Sequence, residues 1–204
     1  MFSLKGKRVL VLGGMEVGVA LMQLLKKASA TIFTTAPINK HVYLKSLLGV
    51  HPLPEDEWNT QESDFDYIFD GFGETDTAAK ALKNDGELVC FGHAGMLKER
   101  DIGFLGVPIK THFARMFNFS KRVHYVEIWE SFAHDPETFK DNLQTLLQLL
   151  KWNKLTPHIA KRVALTQVAA AQSRLERGEI RGTIVCFPWR PVSSGSISKI
   201  EEET

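Results

Sequence analysis

Short apolar runs alternate with longer amphipathic segments along most of the chain. The run Arg8–Leu12 is almost continuously apolar, which is typical of a strand buried on both faces of a parallel sheet. Alternation of such strands with helical segments predicts βαβ units and an α/β fold. The predicted strands are Arg8–Leu12, Thr31–Thr35, Val50–Leu53, Phe65–Asp70, Glu87–Phe91 and Val123–Trp129, and the predicted helices between them are Val17–Lys27, Ile38–Leu48 and Asp76–Lys83.

The clearest helix start follows the last of these strands. Asp135 is the predicted N-cap, Pro136 takes the first helical position, and Glu137 favours the positive end of the helix dipole. This helix is predicted to end near Lys151. An extended piece, a helix over Leu165–Arg177 and a strand that ends at Pro188 follow, and the polar residues 191–204 are predicted to be disordered.

Composition limits the classes of binding partner and the cellular compartment that are expected for the chain. Of 204 residues, 44% are hydrophobic, and 25 Lys and Arg balance 24 Asp and Glu. This balance does not favour nucleic acid or an anionic membrane surface as a partner. The chain has no run long enough to span a bilayer and no apolar signal core, so a cytoplasmic protein is expected. Cys90 and Cys186 both lie in apolar strand-like runs and are predicted to be buried free thiols.

The first strand runs into a glycine-rich turn. Gly13 and Gly14 follow Leu12, and Gly18 lies in the first turn of the next helix. Close glycines at a helix N-terminus present backbone N–H groups and a partial positive charge to a phosphate. In the dinucleotide-binding fingerprint, Gly13 and Gly18 occupy the first and third glycine positions, and Met15 occupies the second. The match is therefore partial.

Three other interpretations compete for this turn. A P-loop would need Lys and Ser or Thr after Gly18, where Val19 and Ala20 stand instead. A methyltransferase would need an acidic residue at the end of the second strand, which ends in Thr34-Thr35-Ala36. The third interpretation, a turn that only connects a strand to a helix and binds no ligand, is left open by the sequence.

The end of the second strand favours one nicotinamide cofactor over the other. An NAD site usually has Asp or Glu there, whereas an NADP site has small or basic residues. Thr34, Thr35 and Lys40 fit the second case, because hydroxyls can donate to phosphate oxygens and a lysine supplies positive charge. A solvated surface lysine is the alternative for Lys40.

Ordered landmarks extend from residue 5 to residue 188. They read K-G-K-R-V-L-V-L-G-G-x-x-V-G-x-A-L-M-Q-L, T-T-A-x-x-x-K-H-x-x-L-K-x-L-G, F-D-Y-I-F-D-G-F-G, T-A-A-K-A-L-K-x-D-G-E-L-V-C-F-G, and L-x-P-H-I followed by a helix and R-G-T-I-V-C-F-P. In this order and spacing the chain resembles the medium-chain dehydrogenase/reductase superfamily, and more narrowly its zinc-independent, quinone-oxidoreductase-like branch.

The resemblance implies a domain organisation. Residues 1–152 would form a Rossmann-type doubly wound parallel sheet with helices on both faces. Residues 153–190 would complete the catalytic domain, and 191–204 would be a polar tail. In the family, a GroES-like catalytic domain precedes the first strand, and this chain begins almost at that strand. The chain is therefore expected to lack that domain, either as a fragment or as a naturally short relative.

The resemblance also implies a set of cofactor-binding residues. For Gly92, close helix packing is the alternative role, and for His93 it is a solvated position in a loop. The full set, from the pyrophosphate turn to the nicotinamide end, is Gly13, Gly14, Met15, Glu16, Val17, Gly18, Thr34, Thr35, Lys40, Phe72, Gly73, Gly92 and His93.

In this branch of the family, hydride passes from NADPH to a quinone, an enone or another activated double bond, and the cofactor supplies the chemistry. No catalytic residue is predicted in this part of the chain, and a small-molecule substrate is expected only with the missing domain. No zinc site is expected, because two distant cysteines and scattered histidines lack ligand spacing.

Met15 and Glu16 depart from the fingerprint and favour a second function. A Met15 side chain lies where backbone should meet phosphate, and the Glu16 carboxylate would repel a phosphate. A non-catalytic Rossmann module with a degenerate nucleotide site, acting as a sensor or a scaffold, therefore remains an alternative to the NADPH-dependent enzyme.

The sixth predicted strand suggests self-association. In the family, such an edge strand pairs with its twin in a homodimer, and the aromatic residues of 123–129 suit an interface. The alternative is an edge covered by the 135–151 helix and the tail.

Overall fold

The computed structural model describes residues 3–13, 17–55, 58, 64–92, 122–177, 179–180 and 182–189. It divides into two compact units, Met1–Thr156 and Pro157–Thr204, which are described separately. The predicted disordered tail, 191–204, lies outside the described residues, as do Gly14, Met15, Glu16 and His93 of the predicted site.

The first unit is built on a six-stranded parallel sheet. Its strands lie in the order β3-β2-β1-β4-β5-β6, and all five neighbouring pairs are parallel. The elements are β1 (Arg8–Leu12), α1 (Val17–Lys27), β2 (Thr31–Thr35), α2 (Ile38–Leu48), β3 (His51–Leu53), β4 (Phe65–Asp70), α3 (Thr75–Ala81), β5 (Leu82–Cys90), β6 (Arg122–Tyr125), α4 (Ile128–His134) and α5 (Pro136–Lys151).

Alternate residues of β1 face two different cores. Val9 and Val11 pack with α1 and α2 on one face of the sheet, whereas Leu10 and Leu12 pack with α3 on the other face. All four side chains are at most 1% exposed, which explains why the central strand is apolar throughout. The predicted doubly wound sheet with helices on both faces is confirmed.

The predicted bounds of the elements nearest the centre of the sheet are confirmed for β1, α1, β2, α2 and β4. The predicted bounds of α3 were wrong by one residue at its start and two at its end, and β5 begins five residues earlier than predicted. The helix ends at Ala81 rather than Lys83, because the fully buried Leu82 already pairs with Phe65 as the first residue of β5.

The strand predicted over Val123–Trp129 is wrong in its second half. The last register pair between β5 and β6 is Cys90 with Tyr125, and Val126 N donates to Cys90 O. Beyond this point β5 offers no further backbone partner, and α4 begins at Ile128. The first three residues of V-H-Y-V-E-I-W belong to β6, Val126 and Glu127 connect the two elements, and the last two residues belong to α4. The sheet edge in this segment is therefore Arg122–Tyr125.

Helix α5 begins as predicted. The Asp135 side chain accepts a hydrogen bond of 3.0 Å from Thr138 N, and Pro136 takes the first helical position. The segment that follows α5 is tied to α1. The Gln23 side chain donates to Thr156 O and accepts from Thr156 N, at 2.8 and 2.7 Å.

The second unit contains a parallel pair of strands, β7 (Ile159–Ala164) and β8 (Thr183–Phe187). The predicted helix 165–177 is a short 3₁₀ turn followed by α6 (Val168–Glu176). Cys90 is buried as predicted, but Cys186 is exposed, so that prediction was wrong.

A buried carboxylate joins the amino-terminal ends of β1, β4 and β5. Asp66 accepts hydrogen bonds from Arg8 N at 2.8 Å, Lys7 Nζ at 3.1 Å and Lys83 Nζ at 3.2 Å. Burial alone would raise the pKa of Asp66, but these three donors outweigh it and hold the pKa below its ordinary value. The carboxylate is therefore stabilised in its charged form.

Asp66→Asn should lower the free energy of unfolding at pH 7 by about 1–2 kcal/mol, because hydrogen bonds to a charged acceptor are lost. A lowered folded-state pKa gives stability that is present above the ordinary value and is lost as the pH falls through the folded value. The gap between wild type and variant should therefore narrow at pH 3. Urea unfolding at both pH values measures it, and an unchanged gap would contradict the assignment.

Candidate functional site

The order in which the chain adds strands to the sheet reverses between β1 and β4. From β1 the chain moves outward to β2 and β3, and it then returns to place β4, β5 and β6 on the other side. At such a switch point the loops leaving the carboxyl ends of the strands diverge and open a crevice, where open α/β sheets bind ligands. The predicted site residues lie at the carboxyl ends of β1, β2, β4 and β5 or in the segments that follow these ends.

The turn between β1 and α1 depends on two glycines. Gly13 has φ +97°, which L side chains rarely adopt, and a Cβ on Gly18 would overlap the carbonyl oxygen of Gly13. The start of α1 therefore packs directly against the turn. Val17, the first residue of α1, is 63% exposed, and the first turn of this 11-residue helix contains no acidic residue. Its backbone N–H groups can thus meet an anion.

The two threonines at the end of β2 are tied to the neighbouring strand. Thr34 Oγ1 donates to Val11 O at 2.9 Å, and Thr35 Oγ1 accepts from Gly13 N at 3.4 Å. Thr34 is 0% exposed and Thr35 is 3% exposed. The Thr34 hydroxyl therefore uses its hydrogen within the sheet, and Thr35 positions the glycine turn.

Lys40 lies in the first turn of α2, next to the end of β2. Its backbone N donates to Pro37 O at 2.8 Å, and the residue is partly buried. Nε2 of His41 donates to Ala36 O at 2.7 Å, which fixes the connection between β2 and α2. Among the residues predicted to recognise a 2′-phosphate, Lys40 is the one that brings a positive charge to this edge.

Asp70 organises the loop after β4, and the sequence analysis did not identify it. This fully buried carboxylate accepts from Phe72 N and Gly73 N, both at 2.8 Å to Oδ1, and the Thr75 hydroxyl lies 3.5 Å from Oδ2. Burial raises the pKa of Asp70 although these donors oppose it. An Asp followed by Gly-Phe-Gly at a strand end is the signal that could have indicated this turn.

The Asp70 loop brings Phe72 to the glycine turn. A Cβ on Gly13 would lie 3.4 to 3.8 Å from three atoms of the Phe72 ring. Gly73 follows with φ +87°. The structure therefore brings Gly13, Thr35 and Phe72 together at the switch point, with Phe72 as its aromatic wall.

Gly92 meets the same edge from β5. A Cβ at this position would lie 2.5 Å from Gly71 O, and a Cβ on Gly71 would lie 2.9 Å from the Phe91 ring. Close packing between the ends of β4 and β5 thus accounts for the glycine at position 92, whereas the alternative given above was packing against a helix. A role for Gly92 in cofactor binding stays a prediction.

Cys90 is a buried thiol at the end of β5. Its Sγ lies 3.5 Å from the Thr75 hydroxyl, and burial raises the pKa of the thiol to about 11. The thiol is therefore protonated at neutral pH and is no nucleophile.

Within the described ranges, no group of three or more His, Cys, Asp or Glu side chains is arranged to hold a metal ion, and no helix is long and apolar enough to cross a membrane.

The fold is similar to that of several solved oxidoreductase structures. These include the quinone oxidoreductase of Coxiella burnetii (TM-score 0.62, 23% identity, 89% of this chain and 53% of that one) and the CurK enoyl reductase (0.67, 21%, 89% and 55%). The mycobacterial protein Rv1454c, solved with NADPH, is also similar (0.65, 23%, 90% and 57%). The chain spans about half the length of these proteins.

A family model described as zinc-binding dehydrogenase matches residues 53–186 of the chain. The match includes β4, β5, β6 and both helices that follow, and it continues to β8 in the second unit. The chain therefore belongs to the zinc-binding dehydrogenase family, within the medium-chain dehydrogenase/reductase superfamily.

Proposed function

We propose that this chain is the cofactor-binding part of an NADPH-dependent oxidoreductase that transfers hydride to a quinone, an enone or a similar activated double bond. The observation that carries the proposal is the Gly13–Gly18 turn at the β1/β4 switch point. There the N-terminus of α1 packs so closely on Gly13 that no side chain fits between them. This is the geometry that brings backbone N–H groups to a diphosphate.

Each part of the site would bind a different part of the cofactor. The amides at the start of α1 would bind the pyrophosphate, and Lys40 would pair with the 2′-phosphate. Phe72, Gly73 and Gly92 would border the nicotinamide ribose at the ends of β4 and β5. NADPH supplies the hydride, and the protein orients it and excludes water.

The substrate wall and any proton donor would come from residues outside this chain, because the chain spans about half the length of its structural neighbours. Isolated, it is expected to bind cofactor with little or no turnover. The proposal includes no zinc, because NADPH itself supplies the hydride for transfer to a conjugated double bond.

Lys40→Glu should weaken NADPH binding at least tenfold, about 1.4 kcal/mol or more, and leave NADH binding unchanged. Only NADPH carries the 2′-phosphate that a glutamate would repel. Lys45→Glu is the matched control, since it makes the same charge change in the last turn of the same helix. Titration of the intrinsic tryptophan fluorescence measures both cofactors. Equal losses from the two variants would remove Lys40 from the site.

The alternative is a non-catalytic Rossmann module that uses the fold for protein contacts. Its support is Met15 and Glu16, which depart from the fingerprint. Reductase assays on a full-length protein that contains this chain separate the two functions. A module of this kind would show no NADPH oxidation above background.

A further inference from the structure

The sequence contains two Asp-Gly pairs, Asp70-Gly71 and Asp85-Gly86, whose environments in the structure differ. In such a pair the backbone nitrogen of the glycine can attack the side-chain carboxyl carbon of the aspartate. Because both groups belong to neighbouring residues, this is a ring closure rather than an encounter in solution. Glycine has no Cβ to hinder the approach to its nitrogen. In a folded protein, the reaction depends on exposure and on what holds the carboxyl group.

The first pair is held at both reacting groups. Asp70 is fully buried, and its Oδ1 accepts hydrogen bonds from Phe72 N and Gly73 N, both at 2.8 Å. Gly71 N, the nitrogen that would attack, donates to Leu12 O at 3.2 Å. Ring closure at Asp70 would therefore have to break hydrogen bonds on both sides.

The second pair lies in an irregular stretch of β5. The register with β4 passes from Leu82 directly to Glu87, while β4 advances by only two residues. Residues 83–86 therefore lie opposite the single residue Asp66, and the extra residues of such a bulge lack ladder partners. None of the register pairs described for β5 with β4 or β6 includes Asp85. Strand pairing therefore does not fix the backbone at this residue.

The side chain of Asp85 is also unrestrained. The residue is exposed, and in the part of the chain that the structure describes no hydrogen bond or ion pair holds its carboxylate. The Lys7 ammonium interacts with it electrostatically but donates to Asp66 Oδ1, at 3.1 Å. The carboxyl group of Asp85 can therefore turn towards Gly86 N, and water can reach it.

Gly86 is required by the packing of β5 on β4. The residue is buried, and a Cβ at this position would lie 2.9 Å from Asp66 O and 2.8 Å from Leu82 Cγ. A larger residue, which would slow the reaction, does not fit there unless its neighbours move. The close approach of the two strands thus retains a reactive pair at an exposed position.

We propose that Asp85-Gly86 is a site of spontaneous aspartate isomerisation. Gly86 N forms a bond to Cγ of Asp85, and the proton of this nitrogen leaves with the carboxyl OH as one water molecule, which gives a succinimide ring. Water then opens the ring at one of its two carbonyl carbons. One opening restores aspartate, and the other leaves isoaspartate, in which the main chain runs through the former side-chain carboxyl group. The net reaction is a rearrangement that needs no oxidant or cofactor.

Isoaspartate at position 85 would lengthen the main chain by one carbon directly before the buried Gly86. Lys83, in the same bulge, donates to Asp66 Oδ2 at 3.2 Å, and a longer bulge would disturb this ion pair. The aged chain should therefore melt at a lower temperature. Its new α-carboxylate would make it a substrate for a carboxyl methyltransferase that recognises isoaspartyl residues.

Incubation of the full chain for several weeks in water enriched in heavy oxygen tests the site, because ring opening leaves a labelled oxygen at the residue. Trypsin cleaves after Lys80 and Lys83, so the two pairs fall in different peptides. Fragmentation by electron transfer then distinguishes isoaspartate from aspartate. In the folded chain, label and isoaspartate should accumulate at Asp85 at least about tenfold faster than at Asp70. In a chain unfolded in urea, the two rates should agree within about twofold, because only the folded environments differ.

Asp85→Glu is the matched variant. It keeps the charge but would have to close a six-membered ring, which is slower, so most labelling and enzymatic methylation at position 85 should be lost. Aged wild type should melt below fresh wild type, whereas the aged variant should melt with the fresh variant.

Equal rates at Asp85 and Asp70 in the folded chain would overturn the proposal. So would isoaspartate that forms at Asp85 only in urea, since the fold would then protect the pair. An equal fall in melting temperature for aged wild type and aged Asp85→Glu would overturn the link between isomerisation and stability.

Discussion

Replacing Gly18 by alanine is expected to lower the free energy of unfolding by about 3 kcal/mol and to abolish dinucleotide binding. The added Cβ would overlap the carbonyl oxygen of Gly13, which is backbone and cannot rotate away. Helix α1 would have to move outward from the turn. That movement would disturb Val19 and Met22, which pack against Val9 and Val11 in the core. For a chain of this size the melting temperature should fall by roughly 6–12 °C.

Gly6→Ala provides the matched control. Gly6 also has a positive φ, +78°, but an added Cβ would have no atom within 4 Å. Its cost should be about 1–2 kcal/mol, from backbone strain alone, and it should not change cofactor binding. Thermal unfolding and NADPH titration of both variants measure the difference. A Gly18→Ala variant that is as stable as Gly6→Ala and still binds NADPH would contradict the claim that the site needs close packing of α1 on Gly13.

Asp70→Ala is expected to cost about 3 kcal/mol, because it removes the acceptor for Phe72 N, Gly73 N and the Thr75 hydroxyl. Buried donors without partners cost about 1–3 kcal/mol each when they cannot reach water. The loop that places Phe72 against Gly13 would lose its anchor. Cofactor affinity should therefore fall together with stability.

Asp70→Asn should be far milder, within about 1 kcal/mol of wild type. Both backbone donors bind the same carboxylate oxygen, so an amide oxygen at that position would accept both bonds. The amide nitrogen could then donate to the Thr75 hydroxyl. Burial already raises the pKa of Asp70, so removing its charge costs little. Urea unfolding distinguishes the variants, and equal losses would show that the charge, rather than the acceptor geometry, holds the loop.

The centre of the sheet could be predicted from sequence because its strands are apolar on both faces. Arg8–Leu12 and Phe65–Asp70 are such runs, and their observed bounds match the predicted ones. The sheet edge was harder to predict. The β-branched and aromatic residues of V-H-Y-V-E-I-W fit a strand, but the register with β5 ends at Cys90 and Tyr125, and α4 begins at Ile128. Tertiary pairing therefore set the boundary.

The candidate site was only partly predictable for a related reason. A glycine pattern identifies a turn, but sequence does not show where a hydroxyl directs its hydrogen. Thr34 was predicted to face a phosphate, and the structure shows its hydroxyl donating to Val11 O across the sheet. Asp70 was missed because a strand-ending aspartate is common, and its three donors come from residues that follow it in the loop.

Amide hydrogen exchange with and without NADPH tests most directly whether the β1/β4 switch point binds a dinucleotide. Saturating NADPH is expected to slow exchange in peptides covering Gly13 to Gly18 and the loop after Asp70. No change is expected in peptides from the second unit, such as those covering β7 and β8. Protection from exchange only in other parts of the chain would contradict dinucleotide binding at the β1/β4 switch point. So would an absence of protection at NADPH concentrations that saturate related reductases.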